Sequence, residues 1–337
     1  MYILIAILIF GILIFVHELG HFLFAKKFGV AITEFSMGMG PKIVSKKGKD
    51  DVEYSLRALP IGGFVAMVGE EEDSDDPNSF DRKPAWQRFV IVIAGALMNL
   101  LVGIIIVFFI TLSNDIYASN VVGEFYDSSV SNEFLQVGDE IIEVDGNRVH
   151  IGQELNYEIL RNGYEPVTVT VIRNGEKITG TVQFGTQTEQ GIVFGSMDFK
   201  VMPERRTFGS VIKYTFYTCK SIITMVWESL FDLLTGRYGI EQVSGPIGVT
   251  EVISEAAKVD FSSVFYIAAV LAVNLGIFNL IPFPALDGGT LVFLLVEMIT
   301  KKKIPKNIEY IIKAIGFALL MALVVFVAFK DIIFLFK

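Results

Sequence analysis

Four long apolar stretches, at residues 2–24, 89–112, 264–281 and 311–329, divide an otherwise mixed chain of 337 residues. Each approaches the roughly 20 residues of helix needed to cross a hydrocarbon core of about 30 Å, so each predicts a transmembrane helix. The first lacks the basic start of a secretory signal and carries His17, Glu18 and His21 where a small-residue cleavage site would lie, so it is expected to stay in the mature chain. A fifth stretch, 208–234, is apolar but interrupted by Lys213, Lys220, Glu228 and Asp232, a pattern that predicts an amphipathic helix lying on the membrane.

Between the second and third apolar stretches the pattern changes to strand-like alternation with Gly and Asn turn signals, over about residues 119–201. Val-Thr-Val-Thr-Val-Ile at 167–172 and Lys-Ile-Thr-Gly-Thr-Val-Gln-Phe at 177–184 flank a turn at Asn174-Gly175 and predict a β-hairpin. Upstream, Val-Gly-Asp-Glu-Ile-Ile-Glu-Val-Asp-Gly-Asn at 137–147 resembles the Gly-Asp-x-Ile…Asp-Gly signature of PDZ domains. That resemblance implies a small β-module with an exposed edge able to accept a peptide tail as an added strand. A small β-domain without a ligand stays open as the alternative.

Composition supports the membrane reading: hydrophobic residues make up 52% of the chain and mean hydropathy is +0.55, too apolar for a soluble domain of this size. The net charge of −9 averages over compartments, so the placement of basic residues carries more information. They cluster at Lys26, Lys27, Lys42, Lys46, Lys47, Lys49, Arg82, Lys83 and Arg88, and again at Lys301, Lys302, Lys303 and Lys306. By the positive-inside rule both connections are cytoplasmic, and both termini and the β-insert lie outside. The acidic run at 70–76 reads as a solvated loop, and nothing in the charge pattern suggests nucleic-acid binding. The single cysteine, Cys219, excludes an internal disulfide framework and a cysteine-rich zinc site, so a metal would need histidine and carboxylate ligands.

His17-Glu18-Leu19-Gly20-His21 places two imidazoles one turn apart on one helix face, where both can hold one metal ion and Glu18 can reach its water. Zinc at such a site brings the pKa of water to about 7, and a glutamate then serves as general base before protonating the leaving amine. That is the chemistry of hydrolysis. Burying these groups in an apolar helix costs several kcal/mol unless they pair or bind something, which weighs against a role in helix packing alone.

Catalytic zinc takes three protein ligands and keeps a fourth position open. His150, the remaining one of three histidines, lies in the β-insert and reads as a surface residue. The third ligand is therefore expected to be a carboxylate, and Asp287, in Asn-Leu-Ile-Pro-Phe-Pro-Ala-Leu-Asp-Gly-Gly at 279–289, is the Asp at membrane depth in the later helices. Pro282 and Pro284 break the helix there, which a membrane tolerates only where protein or a water-filled cavity satisfies the freed backbone groups. An Asp that only caps the next helix is the alternative.

Taken together, H-E-L-G-H and N-x-x-P-x-P-x-L-D-G-G resemble the site-2 proteases, and four helices with one inserted PDZ-like module look like the bacterial RseP/RasP-like branch of that family. The similarity covers nearly the whole chain. It includes Phe-Ser-Met-Gly-Met-Gly-Pro at 35–41 and Leu-Pro-Ile-Gly-Gly-Phe-Val-Ala-Met at 59–67, the latter similar to the family's glycine-rich hairpin that dips into the membrane beside the substrate. The resemblance implies an α-helical membrane protein with four transmembrane helices, a membrane-associated β-hairpin and an inserted PDZ-like β-domain. The implied divisions are 1–112, 119–201, an amphipathic surface helix and linker at 205–260, and 262–337.

By the same resemblance, His17, His21 and Asp287 hold Zn2+, Glu18 is the base, and Gly62, Gly63, Phe64 and Val65 form a strand-adding clamp. Asn279, Pro282 and Pro284 contact substrate. The implied setting is a bacterial cell membrane, in contact with lipid. The implied substrates are transmembrane proteins already cut on their outer side, such as anti-sigma factors or signal-peptide remnants. Two departures are visible: Gly95-Ala96-Leu97-Met98-Asn99 stands where the family's second helix often has Gly-Pro…Asn, and there is one PDZ-like module where some relatives have two. A non-catalytic PDZ-bearing membrane adaptor with a structural metal site competes with this reading, but structural zinc needs no general base and Glu18 is intact. A transporter would also explain intramembrane His and Asp beside a broken helix, but the chain has no internal repeat.

Overall fold

The computed structural model describes residues 2–70, 72, 74–189, 191–237 and 245–335. Glu71 and Asp73 of the acidic run, and residues 238–244 after the amphipathic stretch, lie outside them. The chain forms two compact units, one of residues 1–106 with 225–337 and the other of residues 107–224.

The first unit opens with α1 (Tyr2–Lys27), whose last turn holds Lys26 and Lys27 against the carbonyl end of the helix. Lys26 donates to Asp50 at 2.6 Å, which ties down the turn between β1 (Ile32–Lys47) and β2 (Glu53–Met67) and holds the Asp50 carboxyl down to about 2. Both strands bend on themselves. Residues 34–37 pair with 63–66 on one side and with 53–56 on the other, and 42–47 pair with 53–57 beyond. Gly38 and Gly62 take the positive φ values, 86° each, that let the backbone turn within these strands. Segment 63–67 is left as an edge without a further strand partner among the described residues. Next comes α2 (Ala85–Ser113), which runs unbroken through the fully buried Ala96.

The second unit holds β3 (Ile116–Phe125), β4 (Glu140–Val144), β5 (Asn147–Arg148), α3 (Gly152–Asn162), β6 (Val167–Arg173) and β7 (Glu176–Val182), followed by β8 (Gly185–Glu189), β9 (Ile192–Ser196) and β10 (Phe199–Arg205). The main sheet runs β10-β3-β4-β6-β7 with β5 on β4, and β8 pairs with β9 apart from it. The expected hairpin is present: β6 and β7 close through Asn174 and Gly175 at φ 52° and 83°, the twist that a two-residue turn requires. Val122, Ile141, Leu155, Val169, Phe184 and Phe199 form the core. Asp139 of the Gly-Asp signature is buried and takes two bonds of 2.7 Å from Arg173, so that residue serves the interior of the domain.

From this unit the chain enters α4 (Phe208–Thr235), which is amphipathic as its sequence predicts. Val211 and Tyr214 pack with Tyr117 and Ile151, whereas Phe208, Ile212, Phe216, Trp227, Phe231 and Leu234 form an exposed apolar stripe. Lys213 and Lys220 pair with Glu204 and Glu154, both at 3.1 Å.

The first unit resumes with α5 (Pro246–Val259), α6 (Phe261–Leu280), α7 (Asp287–Thr300) and α8 (Lys306–Leu335). Four helices among the described residues, α1, α2, α6 and α8, are long and apolar enough to cross a membrane, and α4 is not one of them. The core of this unit joins Phe22 of α1, Phe35 and Val65 of the hairpin, Ile91 of α2 and Leu291 of α7. Small residues bring the helices close: a Cβ on Gly20 would lie 2.4 Å from the Ala94 carbonyl, and one on Gly103 would lie 2.7 Å from Val273.

Candidate metal centre

His17 and His21 stand one turn apart on α1 with ring centroids 4.8 Å apart and planes at 88°. The carboxylate comes from a distant segment. Past α6, Pro282 and Pro284 rule out a continuing helix, and the backbone closes short turns, Phe283 donating to the Ile281 carbonyl at 2.6 Å and Leu286 to Phe283 at 3.0 Å. A Cβ on Gly288 would lie 2.0 Å from the Ile281 carbonyl oxygen, and one on Gly289 2.5 Å from that of Phe283. The glycine pair therefore lets this segment fold back onto the start of α7. Asp287 is the first residue of α7, where the helix dipole favours a negative charge.

The result is a nearly equilateral triangle. Asp287 Oδ2 lies 3.2 Å from His17 Nε2 and 3.3 Å from His21 Nε2, and the two Nε2 atoms are 3.3 Å apart. A tetrahedral zinc with bonds of about 2.0–2.1 Å spaces its ligand atoms about 3.3–3.4 Å apart, so the three atoms match one face of such a polyhedron. His21 Nδ1 donates to the Ile91 carbonyl at 2.9 Å, which leaves a lone pair on Nε2. Asp287 Oδ2 is buried without a hydrogen-bond donor. The His21 Nε2 lone pair and the Asp287 carboxylate oxygen thus face one another, and a cation at the centre of the triangle satisfies both. Three converging ligand atoms of this chemistry fit zinc.

One face of α2 forms the wall behind the rings. Ile91 supplies its carbonyl, and Gly95 lies so close that a Cβ there would be 2.3 Å from His21 Nε2 and 2.9 Å from His17 Cε1. The fully buried Asn99 brings its amide nitrogen to 3.4 Å from His17 Nδ1. Glu18 points toward the hairpin edge: a Cβ on Gly63 would lie 3.2 Å from its Cγ, and the Val65 backbone lies beside its carboxylate.

His17, Glu18, His21, Asp287, Gly63 and Val65 are therefore brought together. Gly62 turns the strand just before them, and Phe64 lies under the Arg57 guanidinium at 4.9 Å. Asn279 is half-buried on the last turn of α6, Pro282 is exposed, and Pro284 packs against Gly316 of α8, so these three shape the segment that delivers Asp287. His150 is partly exposed, and it stacks on Tyr217 at 4.0 Å with Nδ1 3.0 Å from the buried Glu154 carboxylate. The wall residues Ile91, Gly95 and Asn99 went unassigned in the sequence, where the signal was a lone amide one turn after a glycine in an apolar helix.

Three converging groups able to hold a metal ion, with a carboxylate beside them and helices apolar enough for a bilayer around them, are the arrangement of the class of membrane-embedded metallohydrolases. The family model of peptidase family M50 matches residues 5–323, and the chain belongs to that family, the site-2 proteases. It is 37% identical over 336 residues to a protein of Clostridium perfringens named as a zinc metalloprotease, with 99% of each chain covered. It is 29% identical over 413 residues to the zinc metalloprotease RasP of Shouchella clausii, covering 98% of each. To the regulator of sigma-W protease RasP of Bacillus subtilis it is 27% identical over 410 residues, covering 97% of each. This protein is accordingly a zinc-dependent metalloprotease and a multi-pass membrane protein.

Proposed function

We propose that the chain is an intramembrane endopeptidase that cuts the transmembrane segments of single-pass membrane proteins after a first cut outside the membrane. The observation that carries this reading is the triangle of His17, His21 and Asp287, with Glu18 beside it, set within α1 and at the broken end of α6, two helices apolar enough for the bilayer. In this reading His17, His21 and Asp287 are the metal ligands and Glu18 is the general base. When bound, zinc supplies a Lewis acid that acidifies water and polarises the scissile carbonyl. Glu18 takes the proton from the attacking water and delivers it to the departing amine nitrogen.

A transmembrane helix must unwind before its carbonyl reaches that centre, and unwinding frees backbone groups that hydrocarbon cannot satisfy. Edge segment 63–67, next to Glu18, supplies replacement hydrogen bonds by strand addition, with Gly62, Gly63, Phe64 and Val65 as the clamp. Asn279, Pro282 and Pro284 border the substrate path on the α6 side. The β-insert acts as a PDZ-like module outside the cell membrane, taking a peptide tail or excluding substrates with bulky outer domains. Both termini share that side, and the exposed stripe of α4 rests on lipid. The Bacillus subtilis relative is named for regulating a sigma factor, which makes anti-sigma factors, together with signal-peptide remnants, the substrate classes to try first.

The deciding experiment compares the parent with Glu18→Gln and Asp287→Ala for zinc content and for cleavage of a reporter transmembrane peptide. Glu18→Gln is expected to keep zinc and lose about 10²- to 10⁴-fold in turnover, the range that general acid–base catalysis contributes. Asp287→Ala is expected to lose both. Turnover of Glu18→Gln within a few-fold of the parent overturns the mechanism, and a zinc-loaded parent that cleaves nothing favours the adaptor.

A further inference from the structure

The two histidines are not held alike. His21 Nδ1 donates to the Ile91 carbonyl at 2.9 Å, and a carbonyl can only accept, so the proton sits on Nδ1 and the Nε2 lone pair faces Asp287 Oδ2 at 3.3 Å. His17 has a side-chain amide in the corresponding place. The Asn99 amide nitrogen Nδ2 is placed 3.4 Å from His17 Nδ1, Asn99 is 0% exposed, and its Oδ1, a half-turn of the amide away, is buried without a partner.

A side-chain amide presents a donor or an acceptor depending on a half-turn about its last bond. With the amino group toward Nδ1, the ring proton moves to Nε2, into the triangle, where it blocks metal binding. With the carbonyl toward Nδ1, Nδ1–H donates and the Nε2 lone pair is free, 3.2 Å from Asp287 Oδ2. We propose that Asn99 is the positioning residue of His17, its Oδ1 accepting from Nδ1–H. One face of α2 then equips both ligands: the carbonyl of Ile91 for His21, the bare Cα of Gly95 for room, and the amide of Asn99 for His17. Hydrogen-bond partners of this kind fix the tautomer and ring orientation of metal-ligating histidines.

The inference rests on His17, His21 and Asp287 being the ligands, and the test separates the two claims. Full-length protein in detergent is titrated with zinc against a chelator for the parent, Asn99→Leu, Asn99→Asp and Asp287→Ala. The histidine tautomers of the zinc-loaded parent and of Asn99→Leu are read by 15N NMR, where three histidines give a tractable spectrum. Asn99→Leu, which has no acceptor, is expected to lose about 10- to 100-fold in zinc affinity. Asn99→Asp, which keeps one, is expected to stay close to the parent. The parent spectrum is expected to show both membrane histidines protonated on Nδ1, with His17 losing that signature in Asn99→Leu. Asn99→Leu binding zinc as tightly as the parent overturns the proposal, as does Asn99→Asp falling as far as Asn99→Leu, which would show that an acceptor of the same shape does not hold the ring. Unchanged affinity in Asp287→Ala would remove the ligand assignment itself.

Discussion

Gly95→Ala tests the geometry of the centre without touching a proposed ligand or the base. The added methyl would lie 2.3 Å from His21 Nε2, 2.6 Å from its Cε1 and 2.9 Å from His17 Cε1. Non-bonded heavy atoms settle near about 3.5 Å, so the His21 ring must give way by about 1.2 Å. It has little freedom to do so, because its Nδ1 is bonded to Ile91 on the same helix that carries the new methyl. Backing α2 away would give up the close packing of Gly20 of α1 on the Ala94 carbonyl, where a Cβ would be only 2.4 Å away. Metal bonds tolerate about 0.2 Å, roughly a sixth of the required shift. A 1 Å misplacement costs about 10²-fold in rate, and zinc affinity should fall by a similar factor. Alanine is a better helix former than glycine by about 0.8–1.0 kcal/mol, so weakening of α2 itself would not explain the loss. The assay is chelator-competed zinc binding with reporter cleavage alongside, and circular dichroism to confirm helix content. Gly11→Ala is the control, because nothing lies within 4 Å of a Cβ at that position on α1. Zinc affinity and turnover of Gly95→Ala within a few-fold of the parent would refute the packing argument and the ring positions it rests on.

The clamp and the topology are open to equally direct tests. Phe64→Pro should remove one or two strand-adding bonds of about 1 kcal/mol each, lowering cleavage of helical substrates about five- to thirty-fold; unchanged turnover counts against strand addition. On topology, His17 and His21 lie toward the C-terminal end of α1 and Asp287 just beyond that of α6, so their meeting requires α1 and α6 to run in the same direction across the membrane. That needs an odd number of crossings between them, α2 supplies one, and α4 must therefore not cross. In a Cys219→Ser background, single cysteines at Arg205 and Thr235 should both label from outside the cell; labelling of one only after permeabilisation overturns this topology.

How much of this was legible in the sequence depended on whether a signal was local. The spanning helices were, because length and apolarity decide insertion. So was the meeting of His17, His21 and Asp287 beside Glu18, because polar groups in an apolar setting are costly unless they serve one another. The short helices α5 and α7 were not, since each is 14 residues and an apolar run of that length beside a break or linker has no distinctive period. Nor was the doubled pairing of 34–37, which is a register decision made by the bends at Gly38 and Gly62. His150 looked like a solvated residue because its partners, Tyr217 and Glu154, meet it through tertiary packing.

The instructive case is the stretch Gly95-Ala96-Leu97-Met98-Asn99, visible at once as a departure from the family pattern but without a stated consequence. Its meaning lies in contacts to residues 17 and 21, more than 70 positions away. In a helix, positions four apart share a face whether or not the axis bends, so Ile91, Gly95 and Asn99 remain aligned toward the histidines. Ala96 is turned elsewhere: its carbonyl lies against α6, where a Cβ on Gly276 would be 3.0 Å away. The glycine and the asparagine one turn apart therefore line the two histidine rings, while the position at which this chain has alanine in place of proline belongs to the α2–α6 contact. An unbroken α2 is compatible with the same chemistry because the residue that would have bent it was never part of the wall.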